Sequence, residues 1–114
     1  MKLLEQKITN NELSEMADHM FGNLVKAVVD IDKKIIVLDA ELHSDQESFL
    51  LENGSEQRNL WGINLYPEFS KDDDNFIEFD SMINLRPSDN NKSRSVENPE
   101  IRKLIIEIVR NWVV

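Results

Sequence analysis

Apolar residues recur at Leu13, Met16, Ala17, Met20 and Phe21, a spacing that lines them along one face of a helix. The residues before them write its start. Thr9 and Glu12 stand at capping-box spacing, and Ile8 and Leu13 are spaced as a hydrophobic staple around that box. Gly22 falls where a left-handed C-cap is wanted. A second stripe, Ile101, Leu104, Ile105, Ile108, Val109 and Trp112, predicts a C-terminal helix with Arg102, Lys103, Glu107 and Arg110 facing away. Asn98 is its N-cap and Pro99 its first position. Ile106 and Val113 lie off the stripe, so this helix is expected to be covered on more than one side.

Between the helices, four segments carry strand signals. Leu24 to Ile31 and Ile35 to Leu42 are joined by Asp32-Lys33-Lys34, short enough for a hairpin. A two-residue loop at Asp32-Lys33 sets Val29 opposite Ile36, Ala27 opposite Leu38, Val25 opposite Ala40 and Lys26 opposite Asp39. The second pair runs from Leu60 to Tyr66 and from Phe76 to Leu85, with Pro67 ending its first strand. Pro67 to Asn75, which contains three consecutive Asp, reads as a solvated connection. A short helix through Leu51, capped by Ser44 or Asp45 and closed by Asn53-Gly54, separates the hairpins. An additional strand at Lys2 to Lys7 is possible in this pattern. The order predicts an α+β fold: a four- to five-stranded, mainly antiparallel sheet built from two hairpins, with the helices packed on one face.

Strand alternation then sorts the side chains. If Val25, Ala27, Val29, Ile36, Leu38, Ala40, Leu42, Trp61, Ile63, Leu65, Ile77, Phe79, Ile83 and Leu85 face the helices, the other face is polar. It carries Lys26, Asp30, Asp39, Glu41, His43, Asn64, Tyr66, Glu78, Asp80, Asn84 and Arg86. A wet sheet face needs polar residues in any case. This one, however, gathers carboxylates, amides, a histidine and an arginine, and Gly62 lies in a strand interior, where glycine often marks the close approach of a ligand or another chain. Ser81, facing the helices by parity near Trp61, reads as a small residue making room.

Two places on that face are candidate sites. Glu41 and His43 share one side of a strand about 7 Å apart, and Glu78 and Asp80 alternate on another. Together the four would suit general acid/base work, or a borderline metal such as zinc or manganese. The bland alternative for Glu78 and Asp80 is an ion-pair lattice with Lys26 and Arg86. No HExxH motif or second clustered histidine is present, so no metal or cofactor is assigned. Asn64, Asn84, Arg86 and Arg94 are the candidate ligand-binding residues. Arg86, Lys92 and Arg94 form a basic island leading into the Asn98-Pro99 helix start, where arginine forks and a helix N-terminus suit a phosphate or carboxylate. Glu97 and Glu100 compete for that end.

Composition narrows the classes. The chain has 114 residues, 22 acidic against 13 basic, a net charge of −9 and no cysteine. That size is expected to form a single domain over residues 1–114. The charge argues against a general nucleic-acid binder. Absence of cysteine excludes disulfides, thiolate metal sites and a cysteine nucleophile, and fits a reducing compartment. No apolar run approaches the length of a membrane span, and Glu5 and Lys7 interrupt any secretory core, so a cytoplasmic location is expected. Three glycines are too few for a glycine-rich phosphate cradle, and GxSxG, P-loop, GxGxxG and zinc-finger spacings are missing.

The stretches FGNLVKAVVDI, AELHSDQESFLLENGSEQRNLWGINLYPE and EFDSMINLRPS resemble a family of small bacterial proteins classed as a domain of unknown function. WGINLYP and EFDSMINLRPS are the most specific parts, and the resemblance runs from about Leu13 to the last helix. It implies a free-standing domain, brings no established activity, and sets a glycine in the first hairpin where this chain has Lys34. The leading expectation is therefore a binding or interaction module, a monomer or homodimer, using the polar sheet face or the Arg86–Arg94 loop for a polar or anionic ligand. The alternatives are a metal-assisted hydrolase or acid/base enzyme on Glu41, His43, Glu78 and Asp80, or a structural subunit that meets a partner through Ile106 and Val113-Val114.

Overall fold

Local signals and tertiary context divide the work of placing the elements. A computed structural model describes residues 1–114. In chain order the elements are β1 (Lys2–Leu3), α1 (Asn10–Asp18), β2 (Val25–Asp30), β3 (Ile35–Leu38), α2 (His43–Glu52), β4 (Leu60–Leu65), β5 (Ile77–Glu78) and α3 (Pro99–Trp112). The strands form one antiparallel sheet in the order β1-β3-β2-β4-β5. The α+β class, the short N-terminal strand and the two antiparallel pairs are as the sequence predicts.

The outer helices start where their caps say. Thr9 accepts from the Glu12 N–H while the Glu12 carboxylate accepts from the Thr9 N–H, a complete capping box. Asn98 accepts from the Glu100 N–H and Pro99 opens α3. Both helices press their apolar stripes on one sheet face. Leu13 and Ala17 of α1 and Ile105, Ile108 and Val109 of α3 meet Val25, Ala27, Val29, Ile36, Leu38, Trp61, Ile63 and Leu65. Val113 is 1% exposed, and its strand-like bridge to Ile8 is flanked by Ile8 N–H to Trp112 O (2.8 Å) and Val114 N–H to Ile8 O (2.9 Å). Its apolar surface is therefore spent within the chain rather than offered to a partner.

The second helix departs from the one-face arrangement. Leu50 of α2 packs with Val28, Val37 and Leu60, which point away from α1 and α3, and Phe49 and Ile83 border that second cluster. The reason is visible in AVV and IIVL: β2 and β3 are apolar on both faces, and a strand with two apolar faces needs two covers. Strict alternation also fails at the strand ends. Leu42 and Leu85 are exposed rather than helix-facing, and Ile83 joins the second face.

Two strands are shorter than the pattern suggests. β3 pairs with β2 in the predicted register, Ala27 opposite Leu38 and Val29 opposite Ile36. It ends there because Asp39 turns left-handed at φ 63°, so the Val25–Ala40 and Lys26–Asp39 pairs do not form. The Lys26 carbonyl, left without a strand partner, accepts instead from Gln46 Nε2 of α2 at 2.9 Å. The hairpin is a four-residue connection from Ile31 to Lys34, with Lys34 at φ 59°. Buried Asp30 holds it, its carboxylate accepting from the Asp32 and Lys33 N–H groups and from Ser55 Oγ.

β5 likewise pairs only through Asn64–Glu78 and Leu65–Ile77. Beyond it the chain crosses β4 at Gly62, where a side chain would collide: a Cβ at 62 would stand 2.5 Å from Ser81 Cβ. The glycine marks a close approach, as expected, and the approaching segment is the protein's own. Ser81 makes room over Gly62 rather than near Trp61, and it caps the 3₁₀ turn Met82–Asn84. The open edge of β4 is satisfied by side chains. The Asn84 amide takes both backbone groups of Gly62, accepting from its N–H (2.8 Å) and donating to its carbonyl (2.9 Å). Arg86 Nη1 donates to the Leu60 carbonyl at 2.8 Å.

Candidate functional site

The β3 truncation undoes one proposed pairing. Glu41 and His43 do not alternate along a strand: Glu41 is exposed in a bend and His43 is the first residue of α2. No three His, Asp or Glu side chains converge as a metal-binding group. His43 instead leans over β4, where its Nε2 lies 2.8 Å from the Ile63 carbonyl. A carbonyl only accepts, so the imidazole is the Nε2–H tautomer with a lone pair on Nδ1. Nδ1 has no protein partner and is not sealed from solvent. Burial lowers the imidazole pKa from its ordinary 6.5, the Lys26 and Arg94 charges add to the lowering, and the Ile63 bond and Asp80 oppose it. The group is neutral at pH 7.

Around His43 the remaining polar residues sort by what they bond. Lys26 is the cross-strand partner of Asn64. Asn64 Nδ2 donates to Glu78 Oε1 (2.8 Å) and to the Asp80 carbonyl (3.3 Å), which fixes the amide orientation and leaves Asn64 Oδ1 buried without a partner. The same Glu78 oxygen accepts from Tyr66 Oη at 2.9 Å. Burial raises the Tyr66 pKa, and Glu78 raises it further. Asp80 Oδ1 accepts from Arg94 Nε at 2.7 Å. Glu78 and Asp80 thus pair with Asn64, Tyr66 and Arg94, not with Lys26 and Arg86 as a lattice would require.

The basic island disperses. Arg86 is 8% exposed; it stacks 4.3 Å over Trp61, bonds the Leu60 and Ile83 carbonyls and pairs with Asp89. Burial lowers its pKa, yet a guanidinium stays charged. Asn84 is fully buried in its bonds to Gly62 and to the Arg94 carbonyl. Both residues therefore build the scaffold. Lys92 is exposed. Arg94 alone of the three reaches the polar patch. Its guanidinium is held through Nε, and its two outer nitrogens make no hydrogen bond within the protein. Hydrogen bonds join Asn64, Glu78, Asp80 and Arg94, His43 on the Ile63 carbonyl feels the Asp80 and Arg94 charges, and Glu41, Asn84 and Arg86 stand apart.

Three participants were not singled out as site residues. Lys26 forms no ion pair and holds its ammonium 5.0 Å from the centre of the Phe21 ring. Gln46 and Asn91 are buried polar residues, and Asn91 binds the loop through bonds to the Asn84 and Ser95 carbonyls and from the Glu97 N–H. Gln46 faces the sheet because α2 does, a placement that no periodicity in HSDQESFLLE announces.

Compared with known families, residues 2–112 match a family described as a protein of unknown function (DUF5674). The chain belongs to that family. No match is found among curated proteins or solved structures. Family membership spans every element described above from β1 to α3 and assigns no activity to the patch. No helix is long and apolar enough to cross a membrane.

Proposed function

We propose that this family member is a small binding module that takes a polar, anionic ligand on the second sheet face, beside the start of α2. The observation that carries this reading is Arg94. Its orientation is fixed by one short bond to Asp80, its outer nitrogens are free, and its side chain is 53% exposed. A pre-aimed guanidinium edge is the geometry by which arginine binds carboxylates and phosphates. Lys26, an unpaired ammonium in a chain of net charge −9, supports the same reading. A catalytic use of Glu41, His43, Glu78 and Asp80 is weaker, since Glu41 is exposed in a bend outside the strands and Glu78 and Asp80 have their carboxylates engaged.

The test is an amide and arginine Nε NMR titration with phosphate, sulfate and citrate. Shifts centred on His43, Asn64 and Arg94, weakened about tenfold in Arg94→Gln, are expected. Shifts absent from these residues with all three anions would refute the site.

A further inference from the structure

Among the groups at this patch, His43 is chemically the odd one. Lys26 and the outer nitrogens of Arg94 are donors only. At the start of α2 the N-cap residue Leu42 supplies no side-chain bond, and its carbonyl accepts from the Asp45 N–H. Against these donors stand two fixed acceptors without a partner, Asn64 Oδ1, which is sealed from solvent, and His43 Nδ1, which is not. His43 is 8% exposed, its Nε2–H is committed to Ile63, and Nδ1 offers a lone pair that nothing in the protein uses. The charges near it come from every side: Lys26 on β2, Asp80 and Arg94 beyond β5, and Asp45 in the first turn of α2 itself. With Glu78 of the same patch, three acidic groups face two basic ones, so charge alone does not draw an anion in and recognition rests on matching hydrogen bonds.

Resting on the binding reading above, we infer that the ligand is an oxyanion that itself carries a hydroxyl hydrogen, with hydrogen phosphate as its simplest form: the oxyanion accepts from Arg94 and Lys26 while the hydroxyl donates to His43 Nδ1. An anion without that hydrogen presents a lone pair to a lone pair, and an acceptor left facing another acceptor is costly. Discrimination of this type follows hydrogen-bond complementarity, which rejects analogues far more strongly than shape alone does.

Phosphate and sulfate test it without altering the protein. Near pH 7.5 phosphate is chiefly a dianion bearing one hydroxyl, and sulfate is a dianion of similar size bearing none. The experiment is a pair of NMR titrations of the full chain with inorganic phosphate and with sulfate at constant ionic strength, following His43 ring protons and Arg94 Nε. Phosphate is expected to bind about tenfold or more tightly than sulfate, with the His43 ring signals moving only for phosphate. Equal affinities would overturn the inference while leaving an anion site at Arg94 standing. Perturbation by neither would remove the site and the inference with it. Tighter binding of sulfate would overturn the role given to His43.

Discussion

Asn84 does with one side chain what a longer β5 would otherwise do with backbone, and Asn84→Ala measures how much that substitution for a strand is worth. The residue is fully buried, and its amide makes three bonds, from Gly62 N–H, to Gly62 O and to Arg94 O. Truncation leaves the two Gly62 groups on the open edge of β4 with no partner. Each unsatisfied buried group costs about 1–3 kcal/mol. Partial entry of water and relief of side-chain ordering reduce the sum, so a loss of about 3 kcal/mol is expected. With a urea slope of about 2 kcal/mol/M, that moves the unfolding midpoint down by about 1.5 M. Hydrogen exchange at the Gly62 amide locates the effect: its protection should fall by more than that of Ala27 or Ile63, which pair with each other across β2 and β4. A loss below about 0.5 kcal/mol, which is the scale of an ordinary surface change, would refute the reasoning. So would unchanged Gly62 protection.

Two further outcomes follow from particular residues. Lys34 holds a left-handed backbone that costs a side-chain-bearing residue about 1–2 kcal/mol. Lys34→Gly should therefore stabilise the hairpin by about 0.5–1 kcal/mol after the entropy of the added glycine is subtracted, and an unchanged or lower urea midpoint would count against this. His43 gives a pH signature. Its folded pKa lies below the ordinary 6.5, so between those two values the unfolded chain binds a proton that the folded chain does not. Stability is then full above about pH 6.5 and falls as pH drops through that window toward the folded pKa. In His43→Gln that slope should vanish from the pH dependence of urea unfolding, and in the unaltered chain the His43 ring should titrate below pH 6.5 by NMR.

The sequence alone determined what depends on near neighbours. Capping boxes, helix stripes and a hairpin register are contacts within a few residues or across one turn. Thr9, Asn98, Pro99 and the Val29–Ile36 pairing could all be read because the residues that fix them lie close in the chain. Candidate chemistry was legible only as residue types. His43, Asn64, Glu78, Asp80 and Arg94 fall in or beside one polar patch, whereas Glu41, Asn84 and Arg86 shared their polarity without sharing their place. Tertiary structure decided the difference through pairings distant in sequence. Asp39 turned β3 away and freed the Lys26 carbonyl for Gln46. The Ser81 segment crossed Gly62 and drew Asn84 and Arg86 into the open edge of β4. Val28, Val37 and Leu60 called α2 to the second face, which carried His43 with it. A buried backbone group must find a partner wherever one can reach, and in this fold that requirement turned Asn84 and Arg86 into scaffold.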